Sequence, residues 1–307
     1  MHPTLLSYLH LDVFTATRFE GNQLAVYLDP PADVTAGLMQ AIAREMNFSE
    51  TTFVFAPERA DTDCRVRIFT PGSELPMAGH PTIGTAFALA HAGRLPAGHS
   101  RTVFGEGVGP VPVDLEWDGP RLAFAWMTQS RPAFGPTLDD VTLLAAGVGL
   151  EPADLRLDAA PVQEVSCGVP FAIVPVVSRA AVDRAAPDAR LLGRAFGEAG
   201  WPQRHVYLFT LERGDDGADV YTRMFAPEIG IVEDPATGSA SGPLGAYLVR
   251  HGLVARARRD PLRNLQGVAM GRPSWISIRP MVDGGEIAAV RVGGQAVLVG
   301  TGTVELP

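Results

Sequence analysis

Two stretches, HisProThrIleGlyThrAla (80–86) and AspProAlaThrGlySerAla (234–240), decide how this chain is read. They align at one offset, 234 − 80 = 238 − 84 = 154, and each follows a run ending in PheThrPro (69–71) or PheAlaPro (225–227). Self-similarity at a fixed spacing predicts an internal repeat, and here two pseudo-equivalent domains. Each would carry a helix led in by proline, whose missing N–H has no intrahelical partner in the first turn, and stopped by a glycine, Gly93 or Gly252. Pro81 is assigned to the first helical position and Asp234 to an N-cap.

The first of these helices carries Ile83, Ala86, Phe87, Leu89 and Ala90 and is apolar on nearly every face, which places it at the centre of a curved sheet. Before it, alternation predicts strands at 7–15 and 24–28. A helix capped by Asp33 shows Leu38, Met39, Ile42 and Met46 on one face and stops at Asn47, and strands follow at 49–55 and 64–69. Glu50 therefore stands at a helix-to-strand corner. Three short strands fill 101–127, with a domain crossover assigned near Trp117–Pro120. The second half repeats the plan with helices at 139–148 and 188–198 and strands at 162–166, 171–177, 205–210 and 219–225. The 307 residues exceed the commonest single core, and the expected domains are 1–117 and 118–307, with the last strand free to return to the first domain.

A net charge of −9 with scattered basic residues argues against a nucleic-acid partner. The one locally basic stretch, ArgAlaArgArg (256–259), reads as a solvated segment. Cys64 and Cys167 have no metal-ligand or CxxC spacing, so neither a disulfide framework nor a zinc site is suggested and a reducing cytoplasm fits. The longest apolar run, around 169–177, is too short to span a bilayer, and the first residues lack the charge pattern of a secretory signal. GlyGluGlyValGlyPro (105–110) lacks dinucleotide-loop spacing and reads as a turn. GlySerAlaSerGly (238–242) lacks the nucleophile-elbow spacing, and His91 and His99 have no partner ligands, so no metal is expected.

The repeat pairs two helix N-termini, at His80-Pro81 and Asp234-Pro235, each offering backbone N–H groups and the positive end of a helix dipole. Should both open on one cleft between the domains, that cleft would hold a carboxylate and stabilise charge released by proton removal. Proton transfer at carbon needs a base and a second polarising or proton-returning group, and Glu50, His80 and Asp234 supply these types. On spacing alone Glu50 reads equally as a solvated residue at a strand start, and His80 as a polar corner or helix cap.

GlyAsnGlnLeuAlaVal (21–26), AsnPheSerGluThrThrPheVal (47–54), PheThrProGlySerGluLeuProMetAlaGlyHisPro (69–81), GluAspProAlaThrGlySerAla (233–240), GlnGlyValAlaMetGlyArgProSer (266–274) and GlyGlyGlnAlaValLeuValGlyThrGlyThr (293–303) occur in this order. They resemble the recurrent phrases of the PhzF-like (phenazine biosynthesis isomerase) family over nearly the whole chain, with Gln23 and Met77 in place of the family's usual Pro and Phe. The resemblance implies an α+β fold of the diaminopimelate-epimerase-like type: two pseudo-symmetric domains, each a curved mixed β-sheet wrapped around a central α-helix. It implies catalytic roles for Glu50 (general acid/base), His80 and Asp234, and substrate contacts from Gly79, Gly238 and Ser239. It further implies a cofactor-free cytoplasmic homodimer that moves a proton between carbons of a small carboxylate-bearing substrate. The competing readings are a thiol-independent racemase or epimerase of small acids and a non-catalytic small-molecule binding relative. A two-thiol racemase is disfavoured because Cys64 and Cys167 lie outside both helix-start phrases.

Overall fold

The computed structural model describes residues 4–201, 205–255 and 260–307, so the basic stretch 256–259 lies outside the described residues. The chain divides into two compact units, residues 1–128 with 293–307, and residues 129–292. The first contains β1 (Thr4–Val13), β2 (Asn22–Tyr27), α1 (Ala36–Met46), β3 (Glu50–Phe55), β4 (Cys64–Phe69), β5 (Glu74–Leu75), α2 (Gly79–His91), β6 (Arg101–Glu106), β7 (Gly109–Asp118) and β8 (Arg121–Gln129). The second contains β9 (Ala133–Thr137), α3 (Thr142–Gly147), β10 (Gln163–Ser166), β11 (Pro170–Pro175), α4 (Arg179–Arg184), α5 (Ala189–Ala199), β12 (Val206–Thr210), β13 (Val220–Ala226), β14 (Ile231–Asp234), α6 (Gly238–Arg250), β15 (Leu262–Gln266), β16 (Ser274–Asp283) and β17 (Glu286–Gly294). The closing strand, β18 (Ala296–Leu306), pairs antiparallel with β1 along its whole length.

Pairing in the first unit is mixed. β1–β2, β3–β4, β4–β5, β6–β7 and β7–β8 are antiparallel, whereas β2–β3 and β4–β6 are parallel. The β7–β8 pairing makes the turn at Trp117–Pro120 a hairpin, because Asp118 and Arg121 face each other across it. In the second unit β10–β11, β12–β13, β13–β14 and β15–β16 are antiparallel, and β11–β12 and β13–β15 are parallel. The six pairings of the second list repeat, in order and direction, the first six along the chain in the first list, β1–β2 to β6–β7, which is the internal repeat in topological form.

In each unit one 13-residue helix is enclosed by the sheet. Residues Gly79–Leu89 of α2 are all buried, and the helix touches β1, β2, β3, β7 and β18. In α6, Gly238 and Ala240–Val249 are buried against β10, β11 and β16. These sequences carry almost no charge, so a position surrounded by strands satisfies every face, at about 1.5–3 kcal/mol for each large apolar side chain buried. On the outer side of the first sheet, Met39, Ile42 and Ala43 of α1 pack on Leu6, Tyr27, Phe53 and Phe69.

Helix starts depart from the sequence expectations. The cap of α1 is Thr35, whose hydroxyl accepts from Leu38 N at 3.2 Å, and not Asp33; Asn47 does end it, at φ 53°. Pro81 is the third residue of α2, still inside the first turn where its missing N–H costs nothing. Asp234 ends β14, and the N-cap position of α6 is Thr237. The repeat offset changes accordingly. Helix starts give 238 − 79 = 159, and the left-handed glycines that follow, Gly93 at φ 69° and Gly252 at φ 68°, give 252 − 93 = 159. His80 thus corresponds to Ser239, not to Asp234. AspProAlaThr is a turn ahead of its helix, whereas HisProThr is already helical.

Candidate active site

Glu50 is the first residue of β3 and His80 the second of α2, and both are buried. Glu50 Oε2 lies 3.3 Å from His80 Nε2. Two features of the sequence force this meeting. Parallel register sets Glu50 beside Leu24 of β2, and Thr52, two residues along β3, joins its hydroxyl to that of Thr85 in α2 at 3.1 Å. The SerGluThrThr phrase therefore attaches its strand to the helix that carries the histidine.

The other face of the imidazole meets Asn22, whose amide nitrogen is 3.1 Å from His80 Nδ1. When that nitrogen donates to Nδ1, the ring proton resides on Nε2, the nitrogen facing Glu50. Asn22 is delivered by Gly21, at φ 67°, where a Cβ would fall 2.3 Å from Val13 O, so only glycine makes this turn. Burial drives the His80 pKa down to about 3, against a smaller opposing effect of a hydrogen bond with the Gln23 backbone. At neutral pH the imidazole is uncharged. It meets the Glu50 carboxylate as a neutral group and not as the cationic half of a salt bridge, and the 3.3 Å contact lacks hydrogen-bond geometry.

In the second unit Asp234 is buried, with Oδ2 accepting from Thr237 Oγ1 at 2.6 Å. Gln266 clamps the same turn. Its Nε2 donates to Asp234 O (2.8 Å) and Thr237 Oγ1 (2.9 Å), while its Oε1 accepts from Thr237 N (3.1 Å) and Tyr207 OH (2.9 Å). Tyr207 OH in turn accepts from Asn264 Nδ2 at 2.8 Å. Gly238 opens α6, its carbonyl held by Gln129 Nε2 at 2.8 Å, and Ser239 is half-buried beside it. Gly79 opens α2 in the same way, and neither Ala78 nor Thr237 caps its helix with a side chain. Both first turns thus keep main-chain donors that no N-cap side chain occupies.

Asn22, Gln129, Tyr207 and Gln266 escaped the sequence reading. Asn22 and Gln266 sit inside phrases used for the family resemblance, and each adjoins a glycine of positive φ, Gly21 or Gly267. That pairing of a buried amide with an obligatory glycine was the available signal. Cys64 is half-buried at the start of β4 and Cys167 buried, both outside the two helix-start phrases, and burial pushes both thiols up to about 12. Among the described residues no group of three His, Cys, Asp or Glu side chains is arranged to hold a metal, and no helix is long and apolar enough to cross a membrane.

The family profile described as phenazine biosynthesis-like protein matches residues 11–302. The trans-2,3-dihydro-3-hydroxyanthranilate isomerase of Pseudomonas chlororaphis is 36% identical over 97% of this chain and 99% of its own. A crystal structure of a PhzF-family phenazine biosynthesis protein from Bacillus anthracis superposes with a TM-score of 0.88 at 29% identity, covering 99% of this chain and 100% of the other. A probable proline racemase from Agrobacterium radiobacter shares the fold alone, with a TM-score of 0.66 at 14% identity over 98% of this chain and 93% of its own. The architecture is thus the expected α+β, diaminopimelate-epimerase-like one, and the chain is an isomerase that belongs to the phenazine biosynthesis-like family.

Proposed function

We propose that this isomerase moves a proton between carbons of a small carboxylate-bearing substrate by general acid/base catalysis, without a cofactor, with Glu50 as the base. The observation that carries the reading is the buried 3.3 Å approach of Glu50 Oε2 to His80 Nε2 at the start of α2. The Glu50 carboxylate takes a proton from a carbon made acidic by a conjugated carboxylate, and the electron pair of the broken C–H bond moves into the conjugated system. The Glu50 carboxyl exchanges its proton with solvent and delivers a proton to another carbon, so that one C–H bond breaks, one forms and a double bond shifts. His80, neutral and 3.3 Å from Glu50 Oε2, fixes the direction in which the carboxylate points. The Gly79 amide and the dipole of α2 stabilise the enolate-like charge. In the second unit we assign Gly238 and Ser239 as donors to substrate oxygen, and Asp234 as a further acid/base group.

The test is incubation in D2O with trans-2,3-dihydro-3-hydroxyanthranilate, the compound named for the Pseudomonas relatives, and with a panel of cyclic and acyclic carboxylates, followed by proton NMR. Double-bond migration with deuterium at the new C–H position is the expected result. Deuterium entering only at the α-carbon of saturated amino or hydroxy acids would replace this reading with thiol-independent epimerisation.

A further inference from the structure

The GlyGluGlyValGlyPro stretch, a turn by its sequence, also touches the segment that leads into α2. Val108 N donates to Pro76 O at 3.1 Å, and a Cβ on Gly107 would lie 2.8 Å from Pro76 Cα, so glycine is what allows the approach. One residue earlier, Glu106 ends β6 with its side chain buried under the first turn of the helix.

Thr82 Oγ1 lies 2.6 Å from Glu106 Oε1 and 2.7 Å from Ala78 O. A hydroxyl has one proton and the Ala78 carbonyl has none, so both contacts are hydrogen bonds only if the carboxyl supplies the second proton. Glu106 Oε2 is buried without a hydrogen-bond partner, a position that an ionised carboxylate tolerates poorly. Ala78 and Thr82 bracket His80 on either side.

We propose that Glu106, as an uncharged carboxylic acid, is a positioning residue that donates to Thr82, fixes the first turn of α2 and thereby holds His80 against Glu50. Burial lifts the Glu106 pKa to about 8, in keeping with the uncharged form, against a smaller downward effect of the Thr82 hydrogen bond. Thr82 on α2 and Cys64 on β4 adjoin it, and the cations that line the same pocket, Arg59, Arg65 and Arg67, are each paired, with Asp61, Glu58 and Glu74 respectively. Among the described residues, each of these cations is thus already matched by another carboxylate.

The proposal rests on His80 being a working residue, and its test reads the imidazole and not turnover, so the two fail separately. The 15N resonances of His80, assigned by their loss in H80Q, are compared in wild type, E106Q, E106M and T82V, with folding checked by circular dichroism. E106Q keeps a donor to Thr82 and should leave both ring nitrogens at wild-type positions, and should abolish the change seen in wild type as pH is raised through about 8. E106M and T82V should displace them, and should do so no further in combination. Wild-type resonances in folded T82V would overturn the proposal, as would an E106Q spectrum displaced as far as that of E106M. Should E106M not fold, T82V decides alone.

Discussion

His80 shows how burial assigns a role. With its pKa at about 3 when folded, and near 6.5 when unfolded, the unfolded chain binds the proton first as pH falls. Stability contributed by this group is complete above pH 6.5 and is lost as pH drops toward 3, amounting to ~2 kcal/mol between pH 7 and pH 5. Urea denaturation at the two pH values should show that loss in wild type and not in H80Q. Glu106 acts in the opposite direction. Folded, it keeps its proton to about pH 8, whereas unfolded it releases it near 4.5, so stability falls as pH rises through that interval and E106Q should remove the slope. Asn22, whose amide nitrogen lies 3.1 Å from His80 Nδ1, is expected to matter through orientation: N22A should lower kcat by roughly 10–100-fold, with a smaller change in KM, in steady-state assays. Glu50 and His80 were legible in the sequence because their phrases are specific, but nothing in the sequence revealed that they meet.

Strands and helices were readable where a single physical cause dominates. β-Branched and aromatic content located β3, alternation located β4, an apolar stripe and an αL asparagine located α1, and the all-apolar composition of α2 placed it inside its sheet. Helix starts were not readable, since they depend on groups distant in sequence. AspProAlaThr resembles HisProThr as text, but Gln266, 29 and 32 residues away from the groups it binds, holds it as a turn and moves the start of α6 to Gly238. Q266L would strip partners from Thr237 N, Asp234 O and Tyr207 OH at once. It should cost about 1–3 kcal/mol, read as a lower urea midpoint, because a buried main-chain donor, Thr237 N, loses its side-chain acceptor and keeps its desolvation penalty.

Across the whole molecule, the matching order of parallel and antiparallel pairings in the two units explains why one chain bears two phrases of the same kind. It also explains why a sequence offset was an imperfect guide, for insertions between strands change the spacing without changing the topology. Both thiols lie outside the helix-start phrases and are held protonated by burial, so iodoacetamide at neutral pH should leave turnover unchanged, and inhibition would return the thiol mechanism to consideration. The substitution Glu50→Gln preserves the size and shape of the side chain but removes the carboxylate that accepts a proton from carbon. The decisive measurement is deuterium uptake from D2O by a bound substrate in E50Q: a fall of about 10²–10⁴-fold is expected, with ligand binding retained in calorimetry. Exchange at the wild-type rate would show that the proton travels by another residue.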